Sequence, residues 1–253
     1  MAERTPEVKS SYAVYEFALA TLLLFGVVSA VYLVFVPLAI GDVRIALAVV
    51  GVAVGVLVFG LIRSPWGRRS GAHLNPAITV ALWLMGAFPG RRVVPYVVAQ
   101  AAGSLTGTAL AGLLWGTAVT GAPVHYAVVR PGPGWDALSV ALTETGCLAV
   151  LTLVVGFFLA HPTHGAWLPL ILGAATAVII AVLGPRSGGS TNPIRQLGPA
   201  VLSGDVRYLA VYLLAPVLGA AAGAGIHRLL VLRTSLRRPR TFRLCPDTAS
   251  QLP

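Results

Sequence analysis

Residues 187–195 have the sequence Ser-Gly-Gly-Ser-Thr-Asn-Pro-Ile-Arg, and residues 70–77 have the related sequence Ser-Gly-Ala-His-Leu-Asn-Pro-Ala. Asn is a favoured N-cap residue, because its side-chain oxygen accepts a hydrogen bond from a free backbone N–H of the first helical turn. Pro is favoured next, because its missing N–H would be unpaired there in any case. The two stretches therefore predict two loops that each turn into a helix, at Asn75-Pro76-Ala77 and at Asn192-Pro193-Ile194.

The two predicted caps also suggest what they do together. If each Asn oxygen caps its helix, the NH2 groups of Asn75 and Asn192 are left to point elsewhere. Brought together inside a membrane, the caps would present two amide donors and two positive helix ends to one point. Such a point favours a polar, uncharged solute and repels cations.

The composition is that of a membrane protein. Of the 253 residues, 57% are hydrophobic and only 10% are charged, whereas a soluble domain carries about a quarter charged residues. Several apolar runs reach the length that crosses a bilayer. The first of them is too long for the core of a cleaved signal peptide, so we expect it to stay as a span.

The net charge of +10 is distributed as in a membrane protein. With a cytoplasmic N-terminus and six spans, 13 of the 18 Lys and Arg residues lie at cytoplasmic ends and 5 lie elsewhere, as the positive-inside rule predicts. We therefore expect both termini in the cytoplasm and no nucleic-acid partner. Arg is used 17 times and Lys once, which is typical of a GC-rich bacterial genome and indicates a plasma (inner) membrane.

The apolar segments occur in a pattern that repeats. Six spans are predicted at residues 12–36, 45–62, 93–119, 137–160, 166–183 and 206–232, and two segments too short to span are predicted at residues 71–86 and 184–203. Three spans per repeat is an odd number, so the two repeats have opposite orientation and their half-helices meet near the midplane. The predicted fold is an all-α membrane protein with six transmembrane helices and two re-entrant half-helices in two inverted repeats.

The same pattern divides the chain into five parts. Residues 1–11 form a cytoplasmic N-terminus, residues 12–120 the first repeat, residues 121–136 an external loop, residues 137–232 the second repeat, and residues 233–253 a basic cytoplasmic tail. The arginines of the tail are expected to anchor it on the cytoplasmic side, in contact with membrane lipid.

These motifs resemble those of the aquaporin and glycerol-facilitator family, the major intrinsic proteins, over about residues 12–232. The resemblance implies a passive channel with one pore per subunit, assembled as a homotetramer, for water and small neutral solutes. It implies that Asn75 and Asn192 donate to the solute at mid-pore, and that Arg195 is the fixed arginine of the outer constriction. The five donors and permanent charge of an arginine suit that role.

Some positions depart from the family pattern or have two interpretations. Ile194 replaces the Ala of the second motif and is expected to add bulk next to the pore midpoint. Glu16 and Glu144 lead the two repeats and either brace the re-entrant loops by accepting backbone N–H bonds or reach water near a span end. His73 is expected to help structure the first loop or to line the cytoplasmic vestibule.

The remaining constriction positions follow from alignment with the family. Counting back from Asn192 gives Ile180 and Gly189, and matching the second span gives Val50. Water-selective members typically have Phe and His at the positions of Val50 and Ile180. The constriction formed by Val50, Ile180, Gly189 and Arg195, here called the collar, is therefore wider and more apolar and should pass glycerol. Other positions, such as Ala200, are of the water-channel type, and a water-selective aquaporin remains the alternative.

Two other classes of protein fit the sequence less well. A secondary transporter can also be built on inverted repeats, but its coupling needs buried carboxylates near the midplane, and Glu16 and Glu144 lie towards span ends. An enzyme is not expected, because no nucleophile–base pair is evident, and no cofactor is predicted. His161 and His164 alone are weak evidence for a metal site or a pH-sensitive gate.

Overall fold

The computed structural model describes residues 11–237, which are helical apart from turns and connections, with no strand in that range. The helices in chain order are α1 (Ser11–Phe35), α2 (Val43–Arg63), α3 (Pro65–Ser70), α4 (Pro76–Leu84), α5 (Val93–Trp115), α6 (Thr117–Thr120), α7 (Ala137–Ala160), α8 (Leu168–Leu183), α9 (Pro193–Ser203) and α10 (Leu209–Arg237). Within the described part, α1, α2, α5, α7, α8 and α10 are long and apolar enough to cross a membrane. The predicted N-terminal segment, apart from Ser11, and the tail beyond Arg237 lie outside the described residues.

The predicted fold class is confirmed, with six long helices and two half-helices, α4 and α9. The differences are local. The basic loop after α2 contains the short helix α3, because Ser64 caps it and Pro65 occupies its first position. The third span ends at Trp115, because Gly116 takes a left-handed φ of 58° that ends the helix.

The long helices pack in three pairs, α1 with α5, α7 with α10, and α2 with α8. Glycines allow the close approach in each pair. A Cβ at Gly103 would lie 2.6 Å from the Phe17 carbonyl oxygen on α1, and a Cβ at Gly219 would lie 2.2 Å from the Thr145 carbonyl oxygen on α7. Small residues at such contacts let helix backbones approach closely in membranes. The equivalent positions in the first two pairs reflect the internal repeat.

Replacing Gly219 with alanine is expected to destabilise the α7–α10 pair. The added methyl meets the backbone of Thr145, which cannot turn away, and such overpacking costs roughly 1–3 kcal/mol. Gly225→Ala on the same helix is the control, because a Cβ there meets nothing within 4 Å and Ala favours helix over Gly. Thermal unfolding in detergent should give a lower midpoint for Gly219→Ala alone; equal midpoints would mean that the helices are not so closely packed.

The half-helices begin at the two predicted caps. Asn75 is the N-cap of α4, and its Oδ1 accepts a hydrogen bond from the Ala77 N–H at 2.9 Å. Asn192 is the N-cap of α9, and its Oδ1 accepts from the Ile194 N–H at 3.1 Å. In both helices Pro follows the cap, so the sequence signal and the geometry agree.

A serine of α5 fixes α9 in place. The Ser104 hydroxyl donates to the Ile194 carbonyl at 2.5 Å and accepts from the Gly198 N–H at 2.9 Å. An unbroken α-helix would pair those two backbone groups with each other. The hydroxyl thus joins the ladder of α9 just before Pro199, which has no N–H to donate. The interaction ties the half-helix of one repeat to a spanning helix of the other.

Candidate pore

The loops before the two half-helices have the same backbone conformation. Left-handed φ values occur at equivalent positions in both, at Gly71 (92°), Ala72 (46°) and Leu74 (54°) in the first loop and at Gly188 (92°), Gly189 (58°) and Thr191 (46°) in the second. Non-glycine residues rarely adopt this conformation. Each residue that does so costs of order 1–3 kcal/mol, and it keeps the conformation only where surrounding contacts impose it. The loops must therefore be held by other groups.

Glu16 of α1 holds the first loop. Its Oε1 accepts from the Ser70 hydroxyl at 2.7 Å and the His73 N–H at 3.0 Å, and its Oε2 accepts from the Leu74 N–H at 3.0 Å and Gln100 Nε2 at 2.7 Å. Glu16 is fully buried. Of the two interpretations of this residue, the geometry fits the brace and not a carboxylate that reaches water.

Glu144 of α7 holds the second loop in the same way. It accepts from the Ser187 hydroxyl at 2.9 Å, the Ser190 N–H at 3.2 Å and the Thr191 N–H at 2.5 Å. It is also fully buried. Both carboxylates are fully buried and accept hydrogen bonds from the loops that they hold, which favours a structural role for both.

Two tyrosines complete the matching supports. The Tyr96 hydroxyl donates to the Ser70 carbonyl at 2.9 Å, and the Tyr212 hydroxyl donates to the Ser187 carbonyl at 2.5 Å. Both tyrosines are buried. His73 adds an unmatched support in the first loop, where its Nδ1 lies 3.1 Å from Thr79 Oγ1.

The asparagine side chains join the two loops to each other. Asn75 Nδ2 donates to the Thr191 carbonyl at 2.9 Å, and Asn192 Nδ2 donates to the Leu74 carbonyl at 2.8 Å. These are the only two asparagines in the chain. Each NH2 has two hydrogens, so one hydrogen of each amide is left for another partner. Both side chains line a cavity, and that cavity is where the remaining hydrogens can find one.

Two cavities meet inside the helix bundle. The first, of about 350 Å³, is lined by both asparagines and by loop residues 71–74 and 189–191. The second, of about 300 Å³, is lined by the connection of residues 123–133. Five residues line both cavities and so surround the junction between them: Val27, Val54, Ile180, Gly189 and Arg195. Three of the four predicted constriction residues are among these five, and the fourth, Val50, lines the second cavity alone.

The wall of the first cavity has two kinds of surface. Residues of the two loops supply polar backbone and the asparagine amides, and the long helices supply aliphatic side chains, among them Leu23, Val58, Leu151 and Leu172. His73 also lines this cavity. Such a wall suits a solute with hydroxyl groups on one side and carbon on the other.

Arg195 spans the junction from the first turn of α9. Its Nη1 donates to the Ala127 carbonyl at 2.8 Å. The carbonyl belongs to the connection between α6 and α7, in which His125, Tyr126 and Ala127 all have left-handed φ values of 44–58°. The arginine therefore depends for its position on an unusual backbone that lies outside its own motif.

Ile194 does not take the place that its sequence position suggested. Its side chain is 1% exposed and belongs to the main hydrophobic cluster, and it is absent from the residues that line either cavity. The reason is helical geometry, because residues three apart share a face. Asn192 and Arg195 both face the cavities, and Ile194 faces away from them into the core.

An ion-pair cluster secures the same end of the bundle. Asp205, in the connection between α9 and α10, lies 2.8 Å from Arg130 Nε and 2.9 Å from Arg207 Nη2. The hydrogen bond from Arg207, with a second from Arg130, holds the pKa of the Asp205 carboxyl well below its usual range. A carboxyl whose pKa is lower in the folded than in the unfolded protein stabilises the fold at pH values above its unfolded pKa. The ion pairs of Asp205 therefore persist into mildly acidic pH.

The two histidines of the turn after α7 stay apart from the cavities. The His161 and His164 rings are 6.3 Å apart, and His161 stacks on Phe157. Among the described residues 11–237, no group of three or more His, Cys, Asp or Glu side chains could hold a metal ion.

Comparisons with known proteins agree with this geometry. Residues 4–227 match the family model of the major intrinsic proteins. The chain is 37% identical over 196 residues to the propanediol uptake facilitator PduF of Citrobacter freundii, covering 64% of this chain and 72% of that protein. It is 38% identical over 180 residues to aquaporin NIP1-3 of Oryza sativa subsp. japonica, covering 71% of this chain and 59% of the rice protein.

A solved structure has the same fold. The X-ray structure of the aquaglyceroporin from Plasmodium falciparum superposes with a TM-score of 0.79 at 22% sequence identity, covering 90% of this chain and 100% of that one. The chain therefore belongs to the major intrinsic protein family. It is a multi-pass membrane protein and a passive channel for water and small solutes, not an enzyme, and the secondary-transporter alternative is set aside.

Proposed function

We propose that the conduction path of this channel runs through both cavities and passes glycerol and similar small polyols together with water. The observation that carries the proposal is the junction between the cavities. Arg195 is the only charged side chain among the residues that line both cavities, and the others are Gly189 and aliphatic residues. With Val50 in place of an aromatic ring and the aliphatic Ile180 in place of a polar ring, the collar has room for a carbon chain opposite the guanidinium.

The similarity to a propanediol uptake facilitator supports the same class of solute. Glycerol and propanediol each have hydroxyl groups that can accept from Arg195 and carbon that can contact Ile180. The first cavity continues this division, with polar groups from the loops and aliphatic side chains from the long helices.

The asparagine pair gives the path its preference for neutral solutes. The free hydrogens of Asn75 and Asn192 can only donate, so a hydroxyl or water between them accepts from both and turns its own hydrogens away. The positive N-terminal ends of α4 and α9 lie at the same place and disfavour a cation. Protons and ions are excluded by these donors together with the charge of Arg195.

We also propose the orientation, cellular location and assembly of the channel. Residues 12–120 and 137–232 act as two inverted repeats, joined by an external connection at residues 121–136, with both termini in the cytoplasm of a bacterial cell. The protein is a homotetramer in the plasma membrane. The stretch of residues 163–183, which includes helix α8, supports this setting, because only 6% of its most apolar 18 residues are buried within the subunit, which leaves its outer side for lipid or a neighbouring subunit.

Filling the collar is expected to close it to glycerol while water still passes. In the double variant Val50→Phe/Ile180→His, an aromatic ring and an imidazole occupy the space opposite Arg195. We expect glycerol permeability in proteoliposomes to fall by about tenfold, which corresponds to roughly 1.4 kcal/mol of added barrier, with a much smaller change for water. Stopped-flow light scattering measures both.

The matched control is Val52→Phe, which adds the same ring to α2 at a side chain that is 61% exposed on the outer surface. It should leave both permeabilities unchanged. If the double variant still passed glycerol at the original rate, the collar would not be the constriction.

A further inference from the structure

Gln196 lies next to Arg195 on the first turn of α9 and makes two hydrogen bonds to one residue. Its Oε1 accepts from the Val129 N–H at 2.8 Å, and its Nε2 donates to the Val129 carbonyl at 3.1 Å. Gln196 is 1% exposed. The amide thus pairs with both backbone groups of Val129, as a residue of a neighbouring β-strand would.

Val129 is two residues beyond Ala127, whose carbonyl accepts from Arg195 Nη1 at 2.8 Å. Two adjacent side chains of α9 therefore hold alternate residues of one short segment. The other side of that segment is also confined, because a Cβ at Gly188 would lie 2.1 Å from Val129 Cγ1. The segment is wedged between Gln196 and the loop of the second motif.

The backbone at the start of this segment does not hold the Ala127 carbonyl in position by itself. His125, Tyr126 and Ala127 are three consecutive non-glycine residues with left-handed φ, a conformation that persists only where other contacts impose it. The paired hydrogen bonds of Gln196 are such contacts, and they are shielded from water. The ion pair of Arg130 with Asp205, farther along the segment, is partly exposed and is worth less for that reason.

We infer that Gln196 is a positioning residue for the collar: it fixes the segment whose Ala127 carbonyl holds Arg195, and so it sets which solutes pass. The inference rests on the proposed role of Arg195 as the constriction arginine. Without Gln196, the Ala127 carbonyl moves away, the guanidinium loses its partner, and the junction widens.

The test compares four variants in proteoliposomes by the ratio of glycerol to water permeability: Gln196→Leu, Gln196→Glu, Arg195→Ala and the double variant Arg195→Ala/Gln196→Leu. Leucine fills the buried site without hydrogen bonds, and glutamate keeps the acceptor for the Val129 N–H but not the donor. We expect Gln196→Leu to raise the ratio by roughly threefold to tenfold, as for the loss of about one or two neutral hydrogen bonds. Gln196→Glu should raise the ratio at least as much, because its second oxygen would face the Val129 carbonyl with no hydrogen between the two acceptors.

The double variant separates positioning from general damage. If Gln196 acts through Arg195, the double variant has the same ratio as Arg195→Ala alone. A further change in the double variant, or an equal loss of water and glycerol permeability in Gln196→Leu, would overturn the inference and leave Gln196 a structural residue. Arg207→Gln is the control. Its side chain is 72% exposed and pairs with Asp205, so the change should leave the ratio unchanged.

The outcomes also distinguish the two proposals. A changed ratio in Arg195→Ala with an unchanged ratio in Gln196→Leu refutes the inference and keeps the proposed function. An unchanged ratio in Arg195→Ala refutes the role of Arg195 and the inference with it.

Discussion

Replacing Asn192 with aspartate is expected to reduce the water permeability of each channel by about tenfold or more. The aspartate keeps the oxygen that caps α9, but its second oxygen replaces the Nδ2 that now lies 2.8 Å from the Leu74 carbonyl. Two acceptors then face each other without a hydrogen between them, and leaving buried partners unpaired costs about 1–3 kcal/mol, more for a charged group. The link between the loops is broken, and a negative charge stands where solutes accept from an amide.

Asn75→Asp should behave in the same way, because Asn75 makes the mirrored bond to the Thr191 carbonyl at 2.9 Å. Ser190→Ala is the control in the same loop. The Ser190 hydroxyl donates only to the Asn192 carbonyl, at 3.1 Å. Removal of this hydroxyl should change water permeability little. Permeability is measured by stopped flow and normalised to the amount of folded protein in the liposomes. Near-normal flow through both aspartate variants would mean that the asparagine amides do not contact the permeating solute.

A large effect on stability is expected at Glu144. Replacing it with leucine leaves the buried N–H groups of Ser190 and Thr191 without partners, since those groups now donate to the carboxylate at 3.2 and 2.5 Å. At about 1–3 kcal/mol for each unpaired group, the loss is roughly 2–6 kcal/mol. The second loop, which contains left-handed Thr191, would not keep its conformation.

Asp136→Asn on the same helix is the control. Asp136 caps α7 at its exposed end by accepting from the Ser139 N–H at 2.8 Å, and Asn caps a helix about as well as Asp. Thermal unfolding in detergent should give a much lower midpoint for Glu144→Leu and an unchanged midpoint for Asp136→Asn. Equal midpoints for the two variants would show that the second loop does not depend on its carboxylate.

Local signals in the sequence predicted most of the fold. Helix α7 begins and ends where the apolar run does, and both half-helices begin at their Asn-Pro caps. Helix α3 lies where the basic residues predict a loop, although Ser64 followed by Pro65 is the same kind of start signal. In this segment the capping pattern indicates the structure better than the charge does.

Contacts between distant residues account for what the sequence did not predict. Gln196 and Val129 are 67 residues apart, and Ser104 and Gly198 are 94 apart, and no local periodicity relates either pair. No motif or spacing in the sequence marks Gln196 as a partner of Val129. Ile194 was expected beside the pore because it belongs to the motif, but its orientation follows from the helical turn that Asn192 starts. The matching tyrosines, Tyr96 and Tyr212, could have been found by aligning the two repeats.

The most direct test of the account is the swelling and shrinking of proteoliposomes in a glycerol gradient, followed by stopped-flow light scattering with empty liposomes and Asn192→Asp as references. We expect rapid shrinkage as water leaves and then rapid re-swelling as glycerol enters, with both phases much slower in the variant. Rapid shrinkage without re-swelling would contradict it: Arg195 and its collar would then close the path to glycerol, and the protein would be a water-selective channel.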